Sequence, residues 1–437
     1  MNKLTPLLLS LLCSTTVAET TLYFNVNGYT LDRNFQLQRF SAIQFTDDRI
    51  DAIYSDSDPL AQEPDRRIDG NGQTMIPGLI DAHGHVLSYG LSLLRVDLVG
   101  AESESEAAGR VLDFAQANPA VEWIQGRGWN QVLWNSNEFP QAASLDAVVS
   151  DRPVWLTRVD GHAAWANSLA MELAGISDDT EDPVGGQIVR DENGKATGVF
   201  VDTAMSFIRE QIPATSFEEE KVALTTALNA LATYGITSVH DAGIGSSTIA
   251  AYKELVSEAP LPVRVYAMIA ASDPLYQDRL AEGFFHSEDM TFSVESVKVV
   301  ADGALGSRGA ALIEDYHDSP GYRGLLRYND ERLEYLIRAA MNANFQVATH
   351  AIGDDANMRV LDNYEKLIVE TKSRDRRHRV EHAQILRYED ILRFAELGVI
   401  PSMQATHATS DKNMAEDRLG PVRIQGAYAW RKLLDSG

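Results

Sequence analysis

Met75-Ile76-Pro77-Gly78-Leu79-Ile80-Asp81-Ala82-His83-Gly84-His85 is the stretch that decides the fold. An apolar run breaks into a polar, Gly-containing turn at Asp81–His85, as a buried parallel strand does when it opens onto a loop. Six further apolar runs follow it: Ile236–Val239, Val263–Met268, Ser296–Val300, Phe345–Thr349, Arg379–Glu381 and Val399–Met403. Helical stretches alternate with them, among them Glu219–Tyr234, Glu331–Asn344 and Tyr388–Leu397, and strand-helix alternation predicts a parallel sheet. The expected fold class is α/β, a (β/α)8-type barrel. A closed barrel takes eight strands. Seven are readable, and Leu434-Asp435-Ser436-Gly437 stands where the eighth is due, so the eighth strand is expected to be missing and the protein to be truncated at its C-terminus.

On the N-terminal side, short alternating runs (Leu22–Val26, Ala42–Phe45, Ile50–Ile53) separated by Asn, Asp and Gly predict small antiparallel strands, a β module over 19–75 that precedes the barrel over 76–437. Residues 1–18 carry Lys3, an apolar run through Leu7–Leu12, and small residues up to Ala18, the pattern of a secretory signal. The apolar stretch is shorter than the roughly 20 residues a spanning helix takes. The mature protein is therefore expected to be exported, periplasmic or extracellular, without membrane insertion. Its one cysteine, Cys13, lies in that signal, which leaves no thiolate ligand after cleavage.

From about 98 to 213 the pattern departs from a single helical crossover. Trp123, Trp129 and Trp134, a strand-like Pro153–Thr157, and a Gly-rich hairpin around Gly185-Gly186 and Asn193-Gly194 read as an insertion after the first barrel strand, expected to cover the barrel mouth and shape a substrate pocket. Trp129, Trp134 and Trp165 are packing residues by default, and together they hint at an apolar substrate group.

The 437 residues, 44% hydrophobic and 23% charged, suit a large globular core. With 38 Lys and Arg against 63 Asp and Glu, the net charge of −25 opposes binding to nucleic acid or anionic membrane surfaces. The acidic residues are spread out (Glu102, Glu104, Glu106, then Glu218–Glu220) and read as a solvated surface. A small-molecule substrate is the expected partner, with oligomerisation left open.

His83 and His85, two apart on an extended backbone, can offer two imidazoles to one metal ion. A bare His-x-His is common by chance, but this one follows an apolar strand at the end where barrel enzymes keep their chemistry. His350 and His382 end two later strands, and Lys298 lies within Val297-Lys298-Val299. A lysine in an apolar strand needs a partner or a neutral form. An ion pair with Asp302 or Glu295 is the plain explanation; carbamylation, which turns the amine into a carboxylate-like ligand, is the other.

The ordered set Pro77–His85, Lys298 with Ala301–Ala310, Thr349–Asp354 and Val380–Gln384 resembles the metal-dependent amidohydrolase superfamily, and within it the branch (amidohydrolase type 3) that includes N-substituted formamide deformylases. The resemblance runs from about Thr21 to the end. It implies a small β-sandwich beside the barrel, a divalent metal such as zinc as one or two ions, and hydrolysis of a carbon–nitrogen bond other than a peptide bond. It makes His83, His85, Lys298, His350 and His382 the metal ligands, with Lys298, His350 and His382 also in the catalytic set. It further implies an aspartate at the end of strand 8 as ligand and general base, a role typically worth about 10²–10⁴ in rate. No residue of this sequence is given that role.

For substrate contact the candidates are His162 in the insertion, His240 and Asp241 after a barrel strand, Arg308 in the loop after the lysine strand, and His407 past the seventh strand. Each competes with a structural role, for Arg308 a loop salt bridge. His286, His317 and His378 read as surface or loop positions. Two other functions fit the same residues: a metal-dependent esterase, lactonase or phosphoesterase, since the fold does not fix the substrate, and a non-catalytic exported metal- or ligand-binding protein.

Overall fold

The computed structural model describes residues 19–437; the signal read over 1–18, with Cys13, lies outside the described residues. The described residues divide into two compact units, one ending at Leu79 and the other spanning Ile80–Gly437.

The first unit holds two small sheets. One orders its strands Arg49–Tyr54, Ala42–Thr46, Thr20–Phe24, Arg66–Asp69, and the other Leu37–Phe40, Asn27–Leu31, Thr74–Met75. Alternation supplies their cores: Leu22, Ala42 and Tyr54 bury together in one cluster, Val26, Phe40 and Ile43 in another.

The barrel strands are β1 (Leu79–Gly84), β2 (Ile236–Ile244), β3 (Arg264–Ala270), β4 (Phe292–Val300), β5 (Gln346–Ala351), β6 (Arg379–His382) and β7 (Ile400–Ser402), neighbours in that order. From β2 to β7 every pairing is parallel. Among the described residues these seven strands make a nearly closed parallel barrel. Crossover helices join them: α1 (Val86–Leu93), α2 (Phe217–Thr233), α3 (Ser246–Glu258), α4 (Tyr276–Glu282), α5 (Asp330–Asn342), α6 (Asp354–Thr371) and α7 (Tyr388–Leu397).

Period-two alternation decides which side chains face inward. Val297 and Val299 of β4, Val347 of β5 and Val380 of β6 join the main apolar core with Leu336, Val360 and Leu361 of the helices. Their neighbours Lys298, Ala348, Arg379 and Glu381 therefore face the barrel interior. Asp302, just past β4, is fully buried and accepts three backbone amides: Ala311 at 2.9 Å, Ile352 at 3.0 Å and Gly353 at 2.8 Å. It pins the loop after β4 to the turn after β5.

Residues between α1 and α2 build a six-stranded sheet, ordered Gly186–Arg190, Ala196–Asp202, Ala163–Ala166, Val154–Arg158, Ile124–Trp129, Val96–Asp97. Trp129, Trp134 and Trp165 are buried in a core of its own with Leu98, Val111 and Leu156, and the indole N–H of Trp129 donates to the Leu156 carbonyl at 2.7 Å. These tryptophans pack, so the hint of an apolar substrate group drawn from them does not hold.

Both acidic runs sit at helix starts. Glu104 and Glu106 occupy the first turn of a helix capped by Ser103. Glu218–Glu220 open α2, where Ser216 and Glu219 exchange hydrogen bonds in a capping box. Carboxylates there meet free amides and the positive end of the helix dipole, which gives them a structural task besides solvation.

Candidate metal centre

His83, His85, Lys298, His350 and His382 line one cavity of about 550 Å³ at the C-terminal ends of the barrel strands. β1, β4, β5 and β6 deliver them; His85 stands where β1 hands over to α1. Gly243, at φ +85°, lies where an added Cβ would meet Lys298 Cγ at 3.4 Å, so a bare backbone keeps room beside the lysine.

His382 breaks the strand pattern. Alternation would send it outward with Val380, but its backbone turns left-handed (φ 73°), as does that of Ala383 (φ 40°), and its ring comes to the cavity. Such conformations cost about 1–3 kcal/mol per residue and persist where the surroundings fix them. Here the fixing contacts include the 2.5 Å hydrogen bond between His382 Nδ1 and Gln404 Oε1 and the amide of Tyr428 donating to the Gln384 carbonyl at 2.8 Å.

The imidazoles crowd together: ring centroids are 5.4 Å apart for His83 and His85, 4.8 Å for His83 and His382, and 4.5 Å for His350 and His382. Burial drives the His83, His85 and His382 pKa values below the ordinary histidine range, His382 furthest. These rings are neutral at pH 7, the form that ligates a metal. Burial also lowers Lys298, to about 8. Its Nζ lies 3.4 Å from His83 Nε2. Neither ion pair expected of Lys298 forms: Asp302 is engaged by backbone amides, and Glu295 stands 3.7 Å from His286.

Sequence reasoning missed the group that orients His83. Its Nδ1–H is held by the fully buried Glu381, which leaves Nε2 toward Lys298. Burial pushes the Glu381 carboxyl up, yet the bonds from His83 and Arg379 bring it down to about 2. Arg379 donates to Glu381 at 2.7 and 3.0 Å, to the Ala82 carbonyl at 2.7 Å, to Ser402 Oγ at 2.8 Å and to His240 Nδ1 at 2.6 Å. One guanidinium thus ties β1, β2, β6 and β7 together inside the barrel. The inward parity of Arg379 and Glu381 was the available signal.

The other candidates have different surroundings. His240 accepts from Arg379 behind the cavity, its pKa lowered to about 4 by burial and then by that guanidinium. Asp241 is buried and braces helices, accepting from the Val86 amide at 3.0 Å and the Tyr252 hydroxyl at 2.8 Å; burial raises it to about 6. His407 stacks on His382 at 5.1 Å. His162 is exposed and bonded to Asp202 at 2.7 Å, and Arg308 pairs with Asp318 at 3.0 Å, the loop salt bridge. Neither His162 nor Arg308 lines the cavity, and no residue of 98–213 does among the described residues. His378, read as a surface position, is buried; it accepts from the Val347 amide at 3.0 Å and bonds Ser373 Oγ at 2.9 Å.

Does this set fit a divalent cation? Its chemistry does: neutral imidazoles, a lysine of lowered pKa, and a buried His350 Nε2 with no hydrogen-bond partner, 3.3 Å from Asp302 Oδ1. The nitrogens pack against one another, and among the described residues no three of His, Cys, Asp or Glu already converge on one ion-sized point. Holding an ion takes side-chain rotation within this cavity, a common change on binding.

Comparison with known proteins agrees on the fold and family. The crystal structure of an uncharacterized metal-dependent hydrolase from Pyrococcus horikoshii OT3 superposes with a TM-score of 0.76 at 25% identity, covering 96% of this chain and 81% of that one. Protein LONG AFTER FAR-RED 3 of Arabidopsis thaliana is 36% identical over 377 residues, which is 83% of this chain and 64% of that protein, so the chain spans less than two thirds of that relative's length. N-substituted formamide deformylase of Arthrobacter pascens is 25% identical over 403 residues, 86% of this chain and 71% of that protein. The model of the amidohydrolase family matches residues 66–437, and with the barrel and its histidine-lined cavity already described, the chain belongs to that family.

Proposed function

We propose that this protein is a metal-dependent hydrolase that cleaves carbon–nitrogen bonds other than peptide bonds, in small amides, formamides or cyclic amides, with zinc as the preferred ion. The observation that carries the reading is the convergence of His83, His85, Lys298, His350 and His382, separated by up to about 300 residues of sequence, on one cavity. The relationship to a formamide deformylase supports the bond class.

In this reading His83, His85, His350 and His382 hold the ion through ring nitrogens. A divalent ion in such a site supplies Lewis acidity to a carbonyl and to water. Glu381 keeps the proton of His83 on Nδ1 and its Nε2 lone pair free, and Arg379 keeps Glu381 ionised. With its pKa near 8, Lys298 holds an appreciable share of free amine in mildly alkaline solution. That amine can add carbon dioxide, forming an N–C bond and releasing one proton, and so become an anionic ligand.

The test is a matched panel of formamides, acetamides, cyclic amides and the corresponding esters, assayed on metal-loaded protein with and without chelator. The expected result is chelator-sensitive release of amine, with amides preferred over esters. Ester cleavage alone would shift the reading to an esterase or lactonase; no metal-dependent turnover of any member would overturn it.

A further inference from the structure

Arg327 is the cation in the cavity that nothing above employs. It lines the same space as the histidines and Lys298, with Tyr328 beside it. Its backbone is fixed, because the Arg327 amide donates to the Ala301 carbonyl at 2.8 Å, three residues past Lys298, and Asn329 caps α5 immediately after. Its side chain is exposed, and among the described residues no hydrogen bond or ion pair engages its guanidinium. The neighbouring arginines are engaged: Arg308 by Asp318, Arg323 by Asp315 at 2.8 Å, and Arg379 by Glu381.

The charge around it is unusual for this protein. The net charge is −25, yet no aspartate or glutamate lines the cavity among the described residues. Asp273, in the adjoining hollow that shares Ala271, Ser272 and Tyr328, is occupied by the amides of Ser246 at 2.6 Å and Leu275 at 2.7 Å. A guanidinium free of partners, held by a fixed backbone over a cavity without carboxylates, matches a planar anion able to accept two parallel N–H bonds. A single arginine with one phenol fits the two oxygens of a carboxylate; a phosphate would call for more donors.

We infer that Arg327 is a specificity-determining residue and that the substrate is an amide bearing a carboxylate away from the bond that is cleaved. This rests on the hydrolase reading for the cleavage itself, but the anion contact is measurable by binding alone. The probes are N-acetylglycine and its neutral counterpart N-acetylglycinamide, titrated calorimetrically into the full-length protein, wild type, Arg327→Gln and Arg327→Lys. A charge-assisted contact of this kind corresponds to a preference of about tenfold to a hundredfold. Wild type should bind the carboxylate more tightly by that factor, Arg327→Gln should lose the difference, and Arg327→Lys should keep part of it. Higher salt should narrow the gap for wild type and not for Arg327→Gln.

Equal affinity for the two probes in wild type, binding of neither, or a preference that survives in Arg327→Gln would overturn the assignment. Turnover separates it from the hydrolase reading. A carboxylate preference that depends on Arg327, with no cleavage of either amide, would uphold the anion site and count against hydrolysis. Cleavage of both amides with equal KM would do the reverse.

Discussion

Glu381 has two neighbours with different demands: His83 needs an acceptor for Nδ1–H, and Arg379 needs an anion in the barrel interior. Replacing it by glutamine keeps the shape and removes the charge. Because carboxylates that orient ligating histidines typically contribute about 10–100-fold in metal affinity, Glu381→Gln is expected to weaken metal binding by that factor in competition with a chromogenic chelator. An affinity within about twofold of wild type would contradict the assignment. A second residue-scale expectation concerns His378, whose pKa burial lowers from 6.5 to about 4. The unfolded protein takes up this proton below pH 6.5 while the folded protein resists it, so stability is intact above pH 6.5 and falls as the pH drops toward 4. The loss is on the order of 3 kcal/mol for this group. Urea unfolding across that range should show the decline, and His378→Gln should flatten part of it.

At the scale of elements, the legible part was the apolar half of each strand. Each of the seven runs contributed to a barrel strand, the first only through Leu79 and Ile80, since Thr74–Met75 is a strand of a small sheet in the first unit; β1 continues through Asp81–Gly84, read as a turn, β2 reaches Ile244, and β6 includes His382. Most of these added positions are small or polar, and His83, Ala242, Gly243 and His382 among them line the cavity, so a hydrophobicity pattern has little there to register. The same limit hid the partners of Lys298: its alternation with Val297 and Val299 fixed its direction, while the contact with His83 depends on a barrel closing across 215 positions. The insertion was legible as a departure from the pattern, but its six-stranded sheet and private tryptophan core were not, since short strands of mixed direction leave no common period. Asp302 belongs to this scale because it joins two loops. Asp302→Ala would strand three buried amides, each worth about 1–3 kcal/mol when unsatisfied. We expect a loss of at least about 3 kcal/mol in denaturant unfolding; a change under about 1 kcal/mol would show that the loops hold without it.

For the molecule as a whole, the barrel concentrates four imidazoles and two basic side chains in the cavity of a protein that is strongly acidic overall. The interior network from Arg379 links the first two strands to the last two, so the site and the closure of the barrel share the same side chains. In the proposed function, His83 and His382, nearly 300 positions apart in sequence, serve one bound ion. Elemental analysis of the purified protein, with His83→Ala and Lys298→Ala alongside, tests this most directly. Close to stoichiometric divalent metal is expected in wild type, with a sharp loss in both variants that remain folded. Wild-type protein that stays metal-free after exposure to zinc, or variants that keep a full complement, would contradict a shared metal centre.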